Sequence, residues 1–163
     1  MEDGLRYFIG NGYKWLPAYD QVADWLADNK GRGLLCVGTT GLGKSLICRD
    51  VFSVVFYSKA VFLTAKQMND RIDALLKPEA RIIVIDDLGK EPVSVYGRRP
   101  FFELCDAAER DGKLLIITTN LSTTPVTDPR YPASIQQRYG DAVISRLKAI
   151  TKMVKFEGED LRG

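Results

Sequence analysis

The sequence predicts an α/β protein in which a parallel sheet is covered by helices on both faces. Five short segments have the length and the apolar or β-branched character of strands, at residues 34–37, 60–64, 81–89, 113–120 and 150–156. Helix-length segments lie between most of them, and strands that alternate with helices usually pair in parallel. A glycine-rich segment with phosphate-loop spacing follows the first strand. These observations predict a five-stranded P-loop fold.

The helices are expected between these strands, after an irregular lead-in. Residues 1–16 contain glycines and aromatics without a clear period, so a single domain is assigned to residues 17–163. Pro17 is suited to the first turn of a helix that ends before Gly31. The helix after the phosphate loop is nearly all apolar, and we expect it to be covered on several sides. Further helices are predicted over residues 65–76, 101–110 and 134–149, the last with a break near Gly140.

The composition is that of an ordinary globular domain and excludes several kinds of chemistry. The 163 residues carry a net charge of +2, which is too small to argue for a nucleic-acid ligand by itself. The sequence has no histidine, which excludes Ser-His-Asp catalysis and zinc–histidine sites. The three cysteines stand far apart, so we expect free thiols in a reducing compartment. No apolar run has membrane-spanning length, and a cytoplasmic protein with no membrane partner is expected.

The segment from Gly38 to Ser45 fits the pattern of glycine, four residues, glycine, lysine and serine. Its glycines allow backbone N–H groups to point at phosphate oxygens, and the following helix adds its positive N-terminal end. Lys44 is expected to reach the β- and γ-phosphates, and the Ser45 hydroxyl to bind Mg²⁺. The predicted nucleotide-binding residues are Gly38, Thr39, Thr40, Gly41, Leu42, Gly43, Lys44, Ser45 and Leu46.

Polar side chains end two of the predicted strands. Asp86 and Asp87 follow four apolar residues, at the carboxyl end of a strand, where open α/β sheets bind ligands. We expect Asp86 to hold Mg²⁺ directly or through water, and Asp87, on the other side of the strand end, to polarise the attacking water. Asn120 ends the next strand, where its amide can orient that water or sense the γ-phosphate. A solvated acid pair and a turn-forming asparagine are the alternative explanation.

Five motifs occur in order along the chain: GTTGLGKS, IIVIDDLGKEP, LIITTNLS, RYGDAVISRL and FEGEDLRG. In this order they resemble the AAA+ ATPases of the DnaC-type helicase loaders and the related IstB-like transposition helpers. The resemblance covers residues 17–163. It implies a five-stranded AAA+ core with strand order 5-1-4-3-2, ATP as the nucleotide, and assembly into rings or spirals.

The resemblance also implies roles for individual residues. Asp86 and Asp87 match the Walker B pair, and Asn120 matches the sensor-one position. Arg146, within the letters ISRL, matches the arginine that these proteins present to the γ-phosphate of a neighbouring subunit. A guanidinium can neutralise the charge that develops there during phosphoryl transfer. The expected catalytic residues are therefore Asp87, Asn120 and Arg146, with Asp86 and Ser45 at the metal.

The chain departs from the family pattern at three places. Arg162 matches the arginine of a terminal signature and implies a sensor-two-like group, but Asp160 stands where the family usually has serine. Only about 33 residues precede the first core strand, where helicase loaders carry a separate domain that grips the helicase. Between the second and third strands there is room for one helix, whereas initiator-type members fit two that contact single-stranded DNA.

The motifs leave open which process the nucleotide machinery serves. One hypothesis is an ATP-hydrolysing helper in DNA replication that acts as a homo-oligomer on single-stranded DNA or on a partner such as a replicative helicase. A second is an IstB-like role, in which ATP-bound oligomers bind duplex DNA and stimulate a transposase. A third is a nucleotide-switched interaction module with little intrinsic turnover. A small-molecule kinase is disfavoured because the sequence has no obvious arginine-rich lid or acceptor-pocket signature.

Arg98 and Arg99 are the expected phosphate contacts if the ligand is a nucleic acid. They lie in the loop of residues 90–100, which contains turn-forming residues and follows the acid pair. An arginine pair in a loop is more often simply solvated, and that alternative stays open at this point.

Overall fold

A computed structural model describes residues 1–10 and 14–159 of the chain. Within these residues the strands form one sheet of order β2-β3-β4-β1-β5, and each neighbouring pair is parallel. The predicted fold class and strand order are therefore confirmed. The strands are β1 (Gly33–Gly38), β2 (Ala60–Thr64), β3 (Ile82–Leu88), β4 (Leu114–Thr119) and β5 (Thr151–Phe156).

Within residues 1–10 and 14–159, two helices precede β1, and the others lie in the intervals between the strands. The predicted break near Gly140 is present, since this residue adopts φ 94° between the last two helices. The single helix predicted over 65–76 is divided at Arg71, whose backbone leaves the helical region at φ −114° and ψ 14°. None of the helices in the described part of the chain is long and apolar enough to cross a membrane. They are α1 (Glu2–Ile9), α2 (Pro17–Ala27), a π-helix (Leu46–Val51), α3 (Phe52–Val55), α4 (Ala65–Asp70), α5 (Ile72–Leu75), α6 (Pro100–Asp111), α7 (Ile135–Tyr139) and α8 (Asp141–Ile150).

The start of the chain differs from the irregular lead-in predicted for residues 1–16. Residues Glu2–Ile9 form α1, and Leu5 is fully buried. Gly4 lies against the side chain of Val51, so α1 covers the π-helix. A helix of 8 residues is marginal in isolation and depends on tertiary packing. This dependence explains why the local sequence pattern did not reveal it.

Each face of the sheet buries its own apolar cluster. Successive residues of a strand point to opposite faces, so Ile83 and Ile85 join one cluster while Val84 joins the other. The first cluster lies under α4 to α8, and the second lies under α1, α2 and the π-helix. All three cysteines are free and buried, as the sequence predicted. The helices on both faces hold the carboxyl ends of the strands at one edge of the sheet.

The segment after the phosphate loop is less covered than predicted. Its first residues form a π-helix, in which i→i+5 hydrogen bonding displaces the buried face relative to α-helical spacing. Phe52 points inward and is fully buried, but Tyr57 is 80% exposed. Val54 and Val55 are also exposed. An apolar sequence therefore has an uncovered side at the end of α3.

Substitution of the buried Phe52 and of the exposed Tyr57 tests this description of the packing. Phe52 stacks on Trp25, with ring centroids 5.8 Å apart, and we expect Phe52→Ala to lower the free energy of unfolding by about 3–5 kcal/mol. Tyr57→Ala should change it by less than about 0.5 kcal/mol. Chemical denaturation of both variants measures the difference. Similar losses in the two variants would contradict the described packing.

Candidate functional site

Residues 38–45 run from the last residue of β1 to the residue before the π-helix, at the carboxyl edge of the sheet. Gly38 and Gly43 adopt φ 148° and 79°. A Cβ atom at Gly38 would lie 2.2 Å from the carbonyl oxygen of Phe156, and one at Gly43 would lie 2.9 Å from the hydroxyl of Tyr19. Positive φ and close approach together require glycine at both positions. Contacts with β5 and α2, and not only a ligand, therefore require the two glycines of the motif.

Lys44 lies inside this loop. Its Nζ atom donates to the carbonyl oxygens of Gly38 at 2.8 Å and of Thr39 at 2.5 Å. Burial lowers the pKa of the Lys44 ammonium, and the nearby carboxylates of Asp86 and Asp87 oppose that shift. Phosphate oxygens would offer this ammonium stronger, charge-assisted hydrogen bonds than carbonyl oxygens do. Lys44 can therefore exchange its hydrogen bonds to the loop carbonyls for hydrogen bonds to an anion.

Asp86 is the meeting point of three elements. Its Oδ1 atom accepts from Ser45 Oγ at 2.7 Å and from Thr118 Oγ1 at 2.5 Å. The residue is only 7% exposed. Mg²⁺ prefers such hard oxygen ligands and commonly combines one or two of them with phosphate and water. Among the described residues no group of three His, Cys, Asp or Glu side chains could hold a metal. The oxygen donors of the Ser45–Asp86 pair fit an ion that a phosphate helps to bind.

The backbone at the acid pair is irregular. The pairing of β3 with β4 passes from Ile85–Ile117 directly to Leu88–Thr119, which leaves the acid pair in a bulge. Asp87 adopts φ 60°, a left-handed conformation that aspartate tolerates better than most residues. A bulge re-aims side chains and ends regular pairing. The strict alternation assumed from the sequence therefore does not hold at this point.

Thr118 holds the irregular segment in place, a role that the sequence did not indicate. Besides donating to Asp86, its hydroxyl accepts from the backbone N–H of Asp87 at 2.9 Å. Thr118 is buried in β4, and only the strand register brings it opposite the acid pair. The Asp87 carboxylate is partly exposed and accepts from Lys90 Nζ at 3.1 Å. The acid pair thus combines a buried, fixed carboxylate with a more accessible one.

The remaining predicted site residues lie apart from this cluster or outside the described residues. Asn120 directly follows β4, and its side chain is exposed. Arg146 lies on α8 and is 25% exposed, with its guanidinium 3.0 Å from the carboxylate of Asp106 and 3.1 Å from that of Glu109 on α6. Arg162 lies outside the described residues, so its position relative to the loop stays a prediction.

Arg98 and Arg99 bond within the chain. The Arg98 guanidinium donates to Asp73 at 2.8 Å and to Glu103 at 2.6 Å. Arg99 donates to the carbonyl oxygen of Tyr139 at 2.6 Å. These contacts join the start of α6 to α5 and α7. Both guanidinium groups have intramolecular acceptors, while Arg99 is exposed and the Arg98 side chain is 40% exposed. Their role as phosphate contacts stays a prediction.

Two solved structures, one of them of a helicase loader, share this architecture. A crystal structure of the DnaC helicase loader superposes with a TM-score of 0.68 at 22% identity, over 93% of this chain and 99% of that one. A crystal structure of DnaI gives a TM-score of 0.65 at 16% identity, over 99% of this chain and 94% of that one. The chain has the AAA+ fold of the helicase loaders.

The same AAA+ fold extends to replication initiators. The AMPPCP-bound DnaA of Aquifex aeolicus matches with a TM-score of 0.62 at 16% identity, over 96% of this chain and 52% of that one. No family model and no curated protein matches this chain. At identities below 25%, these likenesses establish the AAA+ fold alone.

Thr118→Val tests the hydrogen bonds that fix the acid pair. The substitution keeps the shape of the side chain but leaves a buried Asp86 oxygen and the Asp87 N–H without the hydroxyl. We expect the free energy of unfolding to fall by about 1–3 kcal/mol. Thr124→Val is the matched control, because Thr124 is exposed and its loss should cost less than about 0.5 kcal/mol. Equal effects in denaturant titrations would argue against a fixing role for Thr118.

Proposed function

We propose that the protein binds ATP with Mg²⁺ and hydrolyses it as an AAA+ ATPase that acts in DNA replication, in the manner of a helicase loader. The observation that carries this proposal is the junction of the phosphate loop with the acid pair. Ser45 Oγ lies 2.7 Å from Asp86 Oδ1, next to the buried ammonium of Lys44. Groups that bind phosphate and groups that bind a hard cation therefore share one point at the edge of the sheet.

Different residues of the chain bind the phosphates, hold the metal and orient the attacking water. Lys44 and the loop N–H groups bind the phosphates, while Ser45 and Asp86 hold the metal, which when bound neutralises phosphate charge. Asp87 is partly exposed and orients the attacking water, with Lys90 holding its carboxylate to one side at 3.1 Å. Asn120 directly follows the neighbouring strand β4, and its exposed side chain orients the same water or senses the γ-phosphate.

The proposed site is completed by an arginine from a neighbouring subunit of a homo-oligomer. Arg146 is held by two carboxylates of α6 at 3.0 Å and 3.1 Å. Reaching a neighbour's γ-phosphate means exchanging these acceptors for phosphate oxygens, which are partners of the same charge type. Because that exchange needs a second subunit, hydrolysis should depend on protein concentration. Arg162 is proposed as a sensor-two-like group on the sequence motif alone.

The replication role is supported by the kind of protein that shares the fold. Besides the DnaC helicase loader, the replication initiator DnaA shares the fold, and one of its solved structures is bound to AMPPCP and single-stranded DNA. We therefore propose single-stranded DNA or a replicative helicase as the partner, in the cytoplasm. The IstB-like alternative stays a prediction that the fold does not separate from this one.

A nucleotide-switched module with little turnover is the second candidate. It is favoured by the state of two charged groups that hydrolysis requires. The Asp87 carboxylate is paired with Lys90, and the Arg146 guanidinium is paired with acids of its own chain. A protein with these pairs intact would bind nucleotide but turn it over slowly until a partner released them.

Lys44→Ala tests nucleotide binding. Removing a buried ammonium that contacts phosphate should weaken ATP binding by about 10–100-fold, the equivalent of one charged hydrogen-bonding group. Titration with a fluorescent ATP analogue in the presence of Mg²⁺ measures the affinity. Lys59→Ala removes an exposed lysine after α3 and should leave the affinity unchanged. Tight binding by the Lys44 variant would remove the basis for the phosphate-loop assignment.

Arg146→Ala tests hydrolysis between subunits. We expect turnover to fall by about 10³–10⁵ while ATP affinity is kept, and wild-type activity per subunit to rise with protein concentration. Arg110→Ala is the control, because Arg110 also pairs with Asp106 but lies on α6. ATP hydrolysis is measured over a concentration series, with and without single-stranded DNA. Turnover that is independent of concentration, or binding lost in the Arg146 variant, would count against an arginine acting in trans.

A further inference from the structure

A buried hydrogen-bonded cluster connects the loop after the acid pair to the corner between α7 and α8. Its centre is Glu91, which is 2% exposed. One carboxylate oxygen, Oε2, accepts from the backbone N–H of Gly89 at 2.9 Å. The other, Oε1, accepts from the hydroxyl of Tyr139, and the Arg138 guanidinium donates to the Glu91 carbonyl oxygen. Glu91 therefore bridges two segments that are far apart in the sequence.

The burial of Glu91 calls for a reason beyond stability. Glutamate is almost never fully buried unless it is paired, because removing a carboxylate from water is costly. Even a well-bonded buried charge often contributes little net stability, whereas the loss of one partner is severe. What such a cluster does provide is a defined geometry, since each acceptor position is fixed by a donor.

Tyr139 is fixed as tightly as its partner. Its ring packs edge-on against Phe101, with centroids 4.9 Å apart. Burial, and after it the hydrogen bond to Glu91, raises the pKa of the Tyr139 hydroxyl well above its ordinary value. The hydroxyl therefore stays protonated and donates to Glu91, while it accepts from Arg138 Nε at 3.2 Å. The direction of every bond in the cluster is thereby set.

We propose that Glu91 and Tyr139 are positioning residues that keep the acid pair of a subunit in register with the arginine which the same subunit presents to its neighbour. Gly89, bonded to Glu91, lies two residues after Asp87. Tyr139 immediately precedes Gly140, the corner from which α8 leads to Arg146. This inference rests on the proposed function, because it assumes that Asp87 and Arg146 act at successive subunit interfaces.

The geometry explains why a small change in this cluster would displace both the acid pair and Arg146. Asp87 lies at the end of β3, and Lys90 lies on the short loop after it, which Glu91 ties down. Arg146 lies on the second turn of α8, roughly 7.5 Å along the helix axis from its first residue, so a rotation at the corner displaces its guanidinium. A displacement of about 1 Å at a catalytic group can cost as much as 10²-fold in rate.

Mixing two kinds of inactive subunit tests whether the cluster positions both the acid pair and Arg146. Arg146→Ala subunits contribute the acid pair and Asp87→Asn subunits contribute the arginine, so a mixture should recover hydrolysis where they meet. Tyr139→Phe, which removes only the hydroxyl, is then placed in one kind of subunit at a time. We expect kcat to fall about tenfold in each placement, with KM for ATP unchanged. Tyr131→Phe, at an exposed position, should have no effect.

The conservative variant separates positioning from mere folding. Glu91→Gln can still accept from the Gly89 N–H through its amide oxygen, and its amide N–H can donate to the Tyr139 hydroxyl. It should therefore retain most of the recovered activity, whereas Glu91→Ala should lose it. Loss of kcat in only one placement of Tyr139→Phe, or in neither, would overturn the proposal. So would equal losses for Glu91→Gln and Glu91→Ala.

Hydrogen exchange tests the connection without relying on hydrolysis. In the otherwise wild-type chain, Tyr139→Phe should accelerate amide exchange about tenfold both in residues 87–91 and in residues 139–146, relative to Tyr131→Phe. Acceleration in one segment alone, or in neither, would show that the cluster does not join them. If the mixture shows no hydrolysis while both segments exchange faster, the proposed ATPase function fails and the structural connection stands.

Discussion

The paired hydrogen bonds to Asp86 are the constraint on which the site depends. Ser45 comes from the start of the π-helix and Thr118 from β4, and both hydroxyls donate to the same carboxylate oxygen, at 2.7 Å and 2.5 Å. Such a junction forms only if β4 lies between β1 and β3, as the strand order has it. Because Asp86 is buried, each hydroxyl also offsets the cost of removing a carboxylate from water. The order of the strands thus decides which polar groups meet at the edge of the sheet.

A second consequence concerns the charges around this junction. Ion pairs on exposed parts of the chain, such as Arg130 with Asp128, contribute little, since pairs of this kind are typically worth about 0–1 kcal/mol. The bonds of Lys44, Asp86 and Glu91 are different, because all three side chains are buried and have defined acceptors or donors. The positions of charged side chains are therefore defined most strongly in and near the proposed phosphate site, and least at the outer surface.

The sequence predicted the elements whose signals are local. The apolar or β-branched runs and the phosphate-loop spacing were sufficient for the strands and for the expectation that Ser45 and Asp86 share a metal. The family resemblance implied the order of the strands. The sequence did not predict α1, whose burial of Leu5 depends on a distant helix, or the π-helix that leaves Tyr57 exposed. It also did not predict the ion pairs of Arg98 with Asp73 and Glu103, because such contacts cannot be inferred from a loop sequence.

Glycine and lysine spacing, hydroxyl residues and strand-terminal acids belong to single short segments, so the sequence by itself determined that this is a P-loop α/β chain with an acid pair at the edge of its sheet. Only the tertiary structure decided how those groups are held. The bulge at Asp87, the clamp by Thr118 and the burial of Glu91 beside Tyr139 all join residues about 30–50 positions apart. Contacts at such separations arise from strand register and helix packing, which one segment of sequence cannot encode alone.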